Sequence, residues 1–378
     1  MLSTIKTVYT EGQEKLVQAG IHDAAFDARE LLSFVMGIPF RDLPLHYADE
    51  VADEQLSMYE ELLKRRILGE PLQYITGEQE FMGLPFHVDE RVLIPRLDTE
   101  ILAENALEYV SRKIAGSGLY NAENRNSYIE GNCCAAENTS FSEADRGCQF
   151  RVLDLCCGSG AIGLSIAALA CDTNHISQIY NVTDATCKGF DKSRVVAGED
   201  SGSRIEVILA DISQDALDVA RQNAEELGVS ERVSFIRSDL FEAFSDNTGS
   251  DASGTNEVGA CALSRDEDSS GAAEAGREGF DLIVSNPPYV RSDVIPTLGR
   301  EVKDHEPMLA LDGGADGLDI YRRIAEEAPG YIKPGGCLMM EIGADQAEDV
   351  ESLLASSFHD IQVIKDLAGL DRVIIARY

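Results

Sequence analysis

The chain has 378 residues, with 67 Asp and Glu against 32 Lys and Arg, and a formal charge of −35. A hydrophobic content of 44% and a charged content of 26% give enough apolar surface for a sizeable core and exclude global disorder. So acidic a surface repels phosphate backbones and disfavours broad, sequence-independent nucleic-acid binding, although a local basic patch is compatible with it.

Residues 3–69 read as helices, because apolar side chains recur at three- and four-residue steps through Ile5 and Val8, Leu31 and Val35, and Leu56, Tyr59, Leu62 and Leu63. Gly37 and Gly69 fall where helix ends are expected. Residues 78–95 carry short apolar runs broken by Gly83, Pro85 and Asp89-Glu90, the pattern of a β-hairpin connector. A further helix is predicted from Asp98 to Lys113. From Arg151 strand and helix alternate. Strands are predicted at 152–155, 206–210, 233–236, 281–285, 337–342, 361–365 and 372–376, and helices at 161–170, 213–227, 316–328 and 345–356. This order predicts an α/β doubly wound sheet that is mostly parallel. The last two strands are too close for a helical crossover and should pair antiparallel. The domains expected are a helical one at 1–77, the hairpin connector at 78–97 and the sheet domain at 98–378.

Three segments, about 115–149, 171–203 and 245–279, interrupt the alternation. They are rich in Ser, Gly, Asn, Asp and Ala, lack periodicity, and read as mobile surface insertions. They hold 18 acidic and 7 basic residues, so most of the negative charge belongs to the remainder of the chain. Six of the nine cysteines lie in them, at 133, 134, 148, 171, 187 and 261. With no CxxC spacing, the cysteines read as reduced thiols and not as a disulfide framework or a zinc site. The histidines show no ligand spacing, so no metal is expected. The longest apolar run, Ala161–Cys171, is far short of the ~20 residues that span a bilayer, and the N-terminus lacks an apolar signal core. A cytoplasmic location without membrane attachment is expected.

Four motifs carry chemistry. The first is Val152-Leu-Asp-Leu-Cys-Cys-Gly-Ser-Gly-Ala-Ile-Gly163. A buried strand runs through Cys156 and Cys157 into a loop of small residues, Gly158-Ser159-Gly160, and then a helix. The glycines permit close backbone approach to a ligand, and the helix start offers free N–H groups. The spacing also satisfies a dinucleotide fingerprint. Against NAD stands Asp154, a carboxylate at the strand end that would repel a pyrophosphate and suits a cationic ligand. The second motif ends in Asp211, placed to accept both hydroxyls of a ribose. Asp191 is a rival without a preceding apolar strand. The third is Ser238-Asp-Leu-Phe241, whose Asp239 suits an adenine amino group and whose Leu240 could pack on the ring. Asp211 could instead cap helix 213–227, a task Ser213 can perform itself, and Asp239 could serve as a capping residue.

The fourth motif is the most specific: Asp281-Leu-Ile-Val-Ser-Asn-Pro-Pro-Tyr289. An apolar strand ends directly in Asn286-Pro287-Pro288-Tyr289, and ligands of open α/β sheets bind at the carboxyl ends of strands. Two prolines fix the backbone and leave its carbonyls as rigid acceptors. Asn286 adds a side-chain carbonyl, and Tyr289 is available to stack on a planar group. A planar NH2 with a delocalised lone pair, as in an amide or an aromatic amine, is the matching ligand.

Together these motifs resemble class I S-adenosylmethionine-dependent methyltransferases carrying Asn-Pro-Pro-Tyr, and more narrowly the HemK/PrmC family of release-factor glutamine N5-methyltransferases. The resemblance spans nearly the whole chain outside the insertions. It is carried also by Ala28-Arg-Glu-Leu-Leu-Ser33, Glu70-Pro-Leu-Gln-Tyr-Ile-Thr-Gly77, Phe81-Met-Gly-Leu-Pro-Phe-His-Val88, Val92-Leu-Ile-Pro-Arg-Leu-Asp-Thr-Glu100, Glu306-Pro307, Gly313–Gly317 and Asp371-Arg-Val373. The Arg96–Glu100 run favours release-factor enzymes over relatives that methylate a ribosomal-protein glutamine. The sequence departs from the family at Leu97, where Pro is usual, at Cys156-Cys157, where Gly-Thr is usual, and at Leu240, where an aromatic is usual. A left-handed backbone at Cys156 would be strained.

The resemblance implies a seven-stranded Rossmann-like methyltransferase sheet behind a small N-terminal domain for substrate recognition. It implies S-adenosyl-L-methionine bound by Asp154, Cys156, Cys157, Gly158, Ser159, Gly160, Asp211, Asp239, Leu240 and Asn286. It implies a release-factor glutamine bound by Asn286, Pro287, Pro288 and Tyr289, with Asn286, Pro287 and Tyr289 serving catalysis. Peptide chain release factors are then the partner, with no direct nucleic-acid contact. The alternatives are a ribosomal-protein glutamine or adenine N6 in DNA or RNA. The oligomeric state is not legible.

Overall fold

The computed structural model describes residues 3–115, 150–170, 205–245 and 278–378. The three stretches read as insertions lie, but for their edge residues, outside the described residues, as does Asp191. The chain divides into two compact units. One comprises residues 1–80, 85–95 and 288–317, and the other 81–84, 96–287 and 318–378.

The first unit begins with α1 (Ile5–Gln18), α2 (Ala24–Met36), α3 (Asp53–Ile67) and the short α4 (Leu72–Thr76). Their apolar faces meet in one core that includes Ile5, Val8, Leu31, Tyr59, Leu62 and Leu63, positions picked out by the helical period. Gly37 caps α2 in a left-handed conformation (φ +64°), and Gly69 (φ +99°) follows the end of α3. The Tyr59 hydroxyl donates to the Ala28 carbonyl at 2.9 Å. Through this core runs one buried charge pair. Arg66 Nε donates to Asp27 Oδ2 at 2.6 Å, and both side chains are buried. Arg66 Nη2 also reaches Glu301 Oε1 at 2.6 Å, and its Nη1 reaches the Glu70 carbonyl at 3.1 Å. Burial nevertheless outweighs the arginine and raises the Asp27 carboxyl above its ordinary value. The hairpin expected at 78–95 is present as β1 (Glu78–Phe81) and β2 (Leu84–His87).

The second unit is built on α5 (Leu97–Ala115) and a seven-stranded sheet. Its strands are β3 (Phe150–Leu155), β4 (Ile205–Asp211), β5 (Val233–Arg237), β6 (Phe280–Ser285), β7 (Ile332–Glu341), β8 (His359–Lys365) and β9 (Asp371–Arg377). The order is β5-β4-β3-β6-β7-β9-β8. All pairs are parallel except those of β9 with β7 and β8, as the short final connection requires. The helices that follow strands are α6 (Ala161–Leu169), α7 (Gln214–Glu226), α8 (Asp319–Glu327) and α9 (Ala347–Leu354). The central strands β3 and β6 are almost wholly buried and lack the apolar–polar alternation of a one-sided sheet, as parallel strands covered on both faces do.

The strands match the sequence expectation to within a residue or two at their ends except β7, and both β7 and β8 begin early at register shifts. β7 begins at Ile332, five residues before the predicted start, because Phe280 pairs with Ile332 before a register shift at Pro334-Gly335-Gly336. β8 begins at His359 and carries a left-handed residue, Asp360 (φ +47°), at its own register shift.

Arg66→Ala leaves the Asp27 carboxylate buried without its partner. Chemical denaturation is expected to show a loss of about 3–5 kcal/mol in the stability of the helical unit.

Candidate active site

The carboxyl ends of β5, β4, β3 and β6 lie side by side in the sheet, and the four predicted motifs end these strands. Order reverses between β3 and β6, the place where an open α/β sheet leaves a crevice.

The loop after β3 turns through three left-handed residues: Cys156 (φ +57°), Gly158 (φ +55°) and Gly160 (φ +80°). The expected strain at Cys156 is therefore present. A side chain at Gly160 would also strike Leu164 and Leu209, at 2.8 and 3.0 Å. Gly163 has a different task. Its N–H donates to Asp154 Oδ2 at 2.8 Å, and a Cβ there would meet that oxygen at 2.9 Å. The third glycine of the fingerprint thus lets α6 close on the carboxylate at the end of β3.

Asp154 is completely buried, and among the described residues its Oδ1 accepts no hydrogen bond. Desolvation first, then the Asp211 charge, push its carboxyl up to about 7, against the lowering effect of the Gly163 N–H. Asp211 accepts from Gly158 N–H through Oδ2 and from Ser213 N–H through Oδ1, both at 2.9 Å. Burial raises its pKa as well. The capping role belongs to Ser213, whose Oγ accepts from Ala216 N–H at 3.2 Å. The Asp211 carboxylate instead ties the glycine loop to the end of β4.

Beyond β5, Ser238 organises the next loop. Its N–H donates to the Asp211 carbonyl, its hydroxyl donates to the Leu240 carbonyl at 2.7 Å, and its Oγ accepts from Ala243 N–H. Leu240 is left-handed (φ +51°) and only 5% exposed, so its side chain offers a ligand little surface. Asp239 pairs with Arg323 Nη1 of α8 at 2.7 Å, a contact that the sequence did not announce. At the end of β6, Ser285 Oγ donates to the Leu155 carbonyl at 2.9 Å and joins this strand end to β3. Asn286 Nδ2 donates to Thr99 Oγ1 at 3.2 Å. Tyr289 is part-exposed. The backbone of Pro288 and Tyr289 lies so close to Gly313 that a Cβ there would sit 2.8 Å from both.

Burial pushes the Cys156 and Cys157 thiols up, so neither supplies a thiolate at neutral pH. The side chains of the Arg96–Glu100 run find partners that its local sequence does not encode. Asp98 pairs with Arg372 at 3.2 Å, Glu100 accepts from Met82 N–H at 2.6 Å, and Thr99 faces Asn286. The hydroxyl-bearing residue in the first turn of α5 was the available signal.

Three carboxylates and a set of loop N–H groups suit a ligand with cationic and hydroxyl groups better than one with phosphates. The unpartnered Asp154 Oδ1 is the observation that fits a cation. Sheet order and the matched family define a class I S-adenosylmethionine-dependent methyltransferase. Residues 148–363 match the methyltransferase domain family, and residues 7–77 match the PrmC N-terminal domain. The chain is 34% identical over 351 residues to the release factor glutamine methyltransferase of Clostridium acetobutylicum, covering 93% of this chain and 90% of the relative. It is 33% identical over 353 residues to that of Chlorobaculum tepidum, with the same coverage. A solved release-factor-specific protein-(glutamine-N5) methyltransferase from Alicyclobacillus acidocaldarius superposes with a TM-score of 0.32 at 22% identity, over 77% of this chain and 98% of that one. The chain belongs to the release factor glutamine methyltransferase family.

Cys156→Gly removes the left-handed strain and, with it, the thiol's contact with Ser285, which Cys156→Ala removes as well. The glycine variant is expected to stabilise the protein by about 1 kcal/mol, seen as a higher thermal midpoint, whereas Cys156→Ala gives no such gain. The folded protein holds the Asp154 proton more tightly than the unfolded chain does. The resulting stability is fully present below the ordinary value of 3.8 and is lost as pH rises through about 7. Denaturation midpoints of Asp154→Asn, measured from pH 4 to 8, should lack that component of the decline.

Proposed function

We propose that this chain transfers a methyl group from S-adenosyl-L-methionine to the side-chain amide nitrogen of the glutamine in the Gly-Gly-Gln loop of a peptide chain release factor. The observation that carries this reading is Asn286-Pro287-Pro288-Tyr289 at the carboxyl end of β6, beside the glycine loop of β3. The family membership supports the choice of a release factor.

An amide nitrogen is a poor nucleophile, because its lone pair is delocalised into the carbonyl. Asn286 Oδ1 and the Pro287 carbonyl would each accept one of its two hydrogens, with Tyr289 against the amide plane. Two fixed acceptors orient the lone pair in line with the methyl group and favour the positive charge that grows on nitrogen. S-adenosylmethionine supplies an electrophilic methyl on a sulfonium. As the N–C bond forms, the S–C bond breaks and its electron pair goes to sulfur. The methylated nitrogen, now strongly acidic, loses its extra proton to solvent, so the chain needs no general base. On the cofactor side, the loop Cys156–Gly160, Asp154 and Asp211 would hold the amino acid and ribose portions, and Asp239 the adenine, with the buried Leu240 side chain shaping the loop and not packing on the ring.

Residues 1–77 would recognise the release factor, with residues 78–97 as connector. An acidic surface suits a substrate with basic, RNA-binding flanks, and the enzyme itself would make no direct nucleic-acid contact. Among the described residues no helix is long and apolar enough to cross a membrane, and translation places the substrate in the cytoplasm.

The test is transfer of labelled methyl to a purified release factor with Gln or Ala in its Gly-Gly-Gln loop. Duplex DNA and ribosomal protein serve as parallel acceptors. Label on the Gln form alone is expected, and label only on DNA or ribosomal protein would overturn the substrate. Asn286→Ala is expected to lose turnover by at least about 100-fold, while S-adenosylmethionine affinity changes far less.

A further inference from the structure

We propose that Thr99 is a positioning residue for the amide clamp: its hydroxyl holds the Asn286 carboxamide with Nδ2 turned inward and Oδ1 presented to the substrate. The inference rests on the clamp reading of Asn286 and goes beyond it, because Thr99 itself touches no substrate atom in that reading.

The two ends of a carboxamide are nearly equal in size and opposite in hydrogen-bond character. The terminal torsion that exchanges them is soft and roughly two-fold. Asn286 is useful only one way round. With Oδ1 outward it accepts a hydrogen from the incoming NH2. With Nδ2 outward it presents donor against donor, and both the orientation and the charge stabilisation are lost. Shape cannot make this choice, so a hydrogen-bond partner must.

Thr99 supplies a partner: a hydroxyl can donate as well as accept, and here its Oγ1 accepts from Nδ2, which holds the carboxamide in the orientation that leaves Oδ1 outward. Its Oγ1 lies 3.2 Å from Asn286 Nδ2, and Thr99 is 4% exposed, so water is a poor competitor for the bond. The hydroxyl is itself held in place. Thr99 N–H donates to the Arg96 carbonyl at 3.1 Å in the opening turn of α5. Its neighbours pin that turn on both sides: Asp98 to Arg372 of β9, and Glu100 to the Met82 N–H of the hairpin turn. Threonine is also restricted at χ1, which narrows where its oxygen can sit.

The experiment compares Thr99→Val, Thr99→Ser and Asn286→Ala in the full-length enzyme with a release factor as acceptor. Single-turnover rate, S-adenosylmethionine Kd and thermal midpoint are read for each. Valine keeps the shape and removes the hydroxyl. Its rate is expected to fall by about tenfold or more, the scale of one buried hydrogen bond, with Kd within twofold. Serine restores the hydroxyl and should recover most of the rate. Should valine lower the thermal midpoint, Thr99→Ala gives a second hydroxyl-free variant, for which the same loss of rate is expected. Wild-type rates in both hydroxyl-free variants, with Asn286→Ala inactive, would overturn the role of Thr99 and leave the clamp standing. A loss that serine does not recover would also overturn it, since shape and not the hydroxyl would then matter. A wild-type rate in Asn286→Ala would instead overturn the clamp itself.

Discussion

How closely α6 approaches β3 decides what the carboxyl ends of the strands can present. At Gly163 the helix backbone touches the Asp154 carboxylate, with no room for even a methyl group between them. That contact sets where α6 begins, and so where the loop before it must turn. The turn is made within Cys156–Gly160 by three left-handed residues, and Asp211 fastens it from β4 through the Gly158 N–H. A buried carboxylate with one open oxygen is costly to a folded protein. Here the cost falls at the strand end where a cation would be bound, so it is coupled to a site and not spread through the core.

The same region concentrates backbone strain. Cys156 and Leu240 are two of the four non-glycine residues with positive φ among the described residues, and they flank Asp211 on the loops after β3 and β5. Each is over-determined by its surroundings. The thiol-bearing residue is held between the end of β3 and the Asp211 tie, and Leu240 by the Ser238 hydroxyl on its carbonyl. Strain retained at the ends of β3 and β5, two strands whose own pairing is regular, is the pattern expected where loop shape serves a ligand.

Much of the frame was legible, because its signals are local. Helical periods marked the faces that build the core around Tyr59, and the short link between β8 and β9 dictated their antiparallel pairing. The strain at Cys156 was readable from the absence of a glycine in a loop that needs one. Partnerships between residues far apart in sequence were not legible. Thr99 meets Asn286 across 187 residues, and Arg323 meets Asp239 across 84. Nothing in the local pattern of either residue encodes its partner. Asp211 was legible as a strand-end carboxylate, yet its bonds to Gly158 and Ser213 could not be told from a cap without knowing where the glycine loop lies. The early start of β7 was missed because Pro334-Gly335-Gly336 reads as a break, whereas the sheet absorbs it as a register shift.

The two halves of the site place different demands on the fold. On the proposed cofactor side, Asp154 would meet a cation, and that attraction tolerates small errors of placement, since Coulomb attraction falls slowly with distance. On the acceptor side the groups are neutral, and a neutral hydrogen bond fails steeply with angle and outright if donor and acceptor are exchanged. Prolines fix the backbone acceptor at Pro287, but no backbone device can fix the end-for-end orientation of an asparagine. That orientation has to come from a second side chain, buried and itself held, and α5 brings Thr99 there from the far side of the chain. On the proposed reading, an enzyme that methylates a delocalised nitrogen would thus rely less on charge at the acceptor than on the direction of two carbonyl groups.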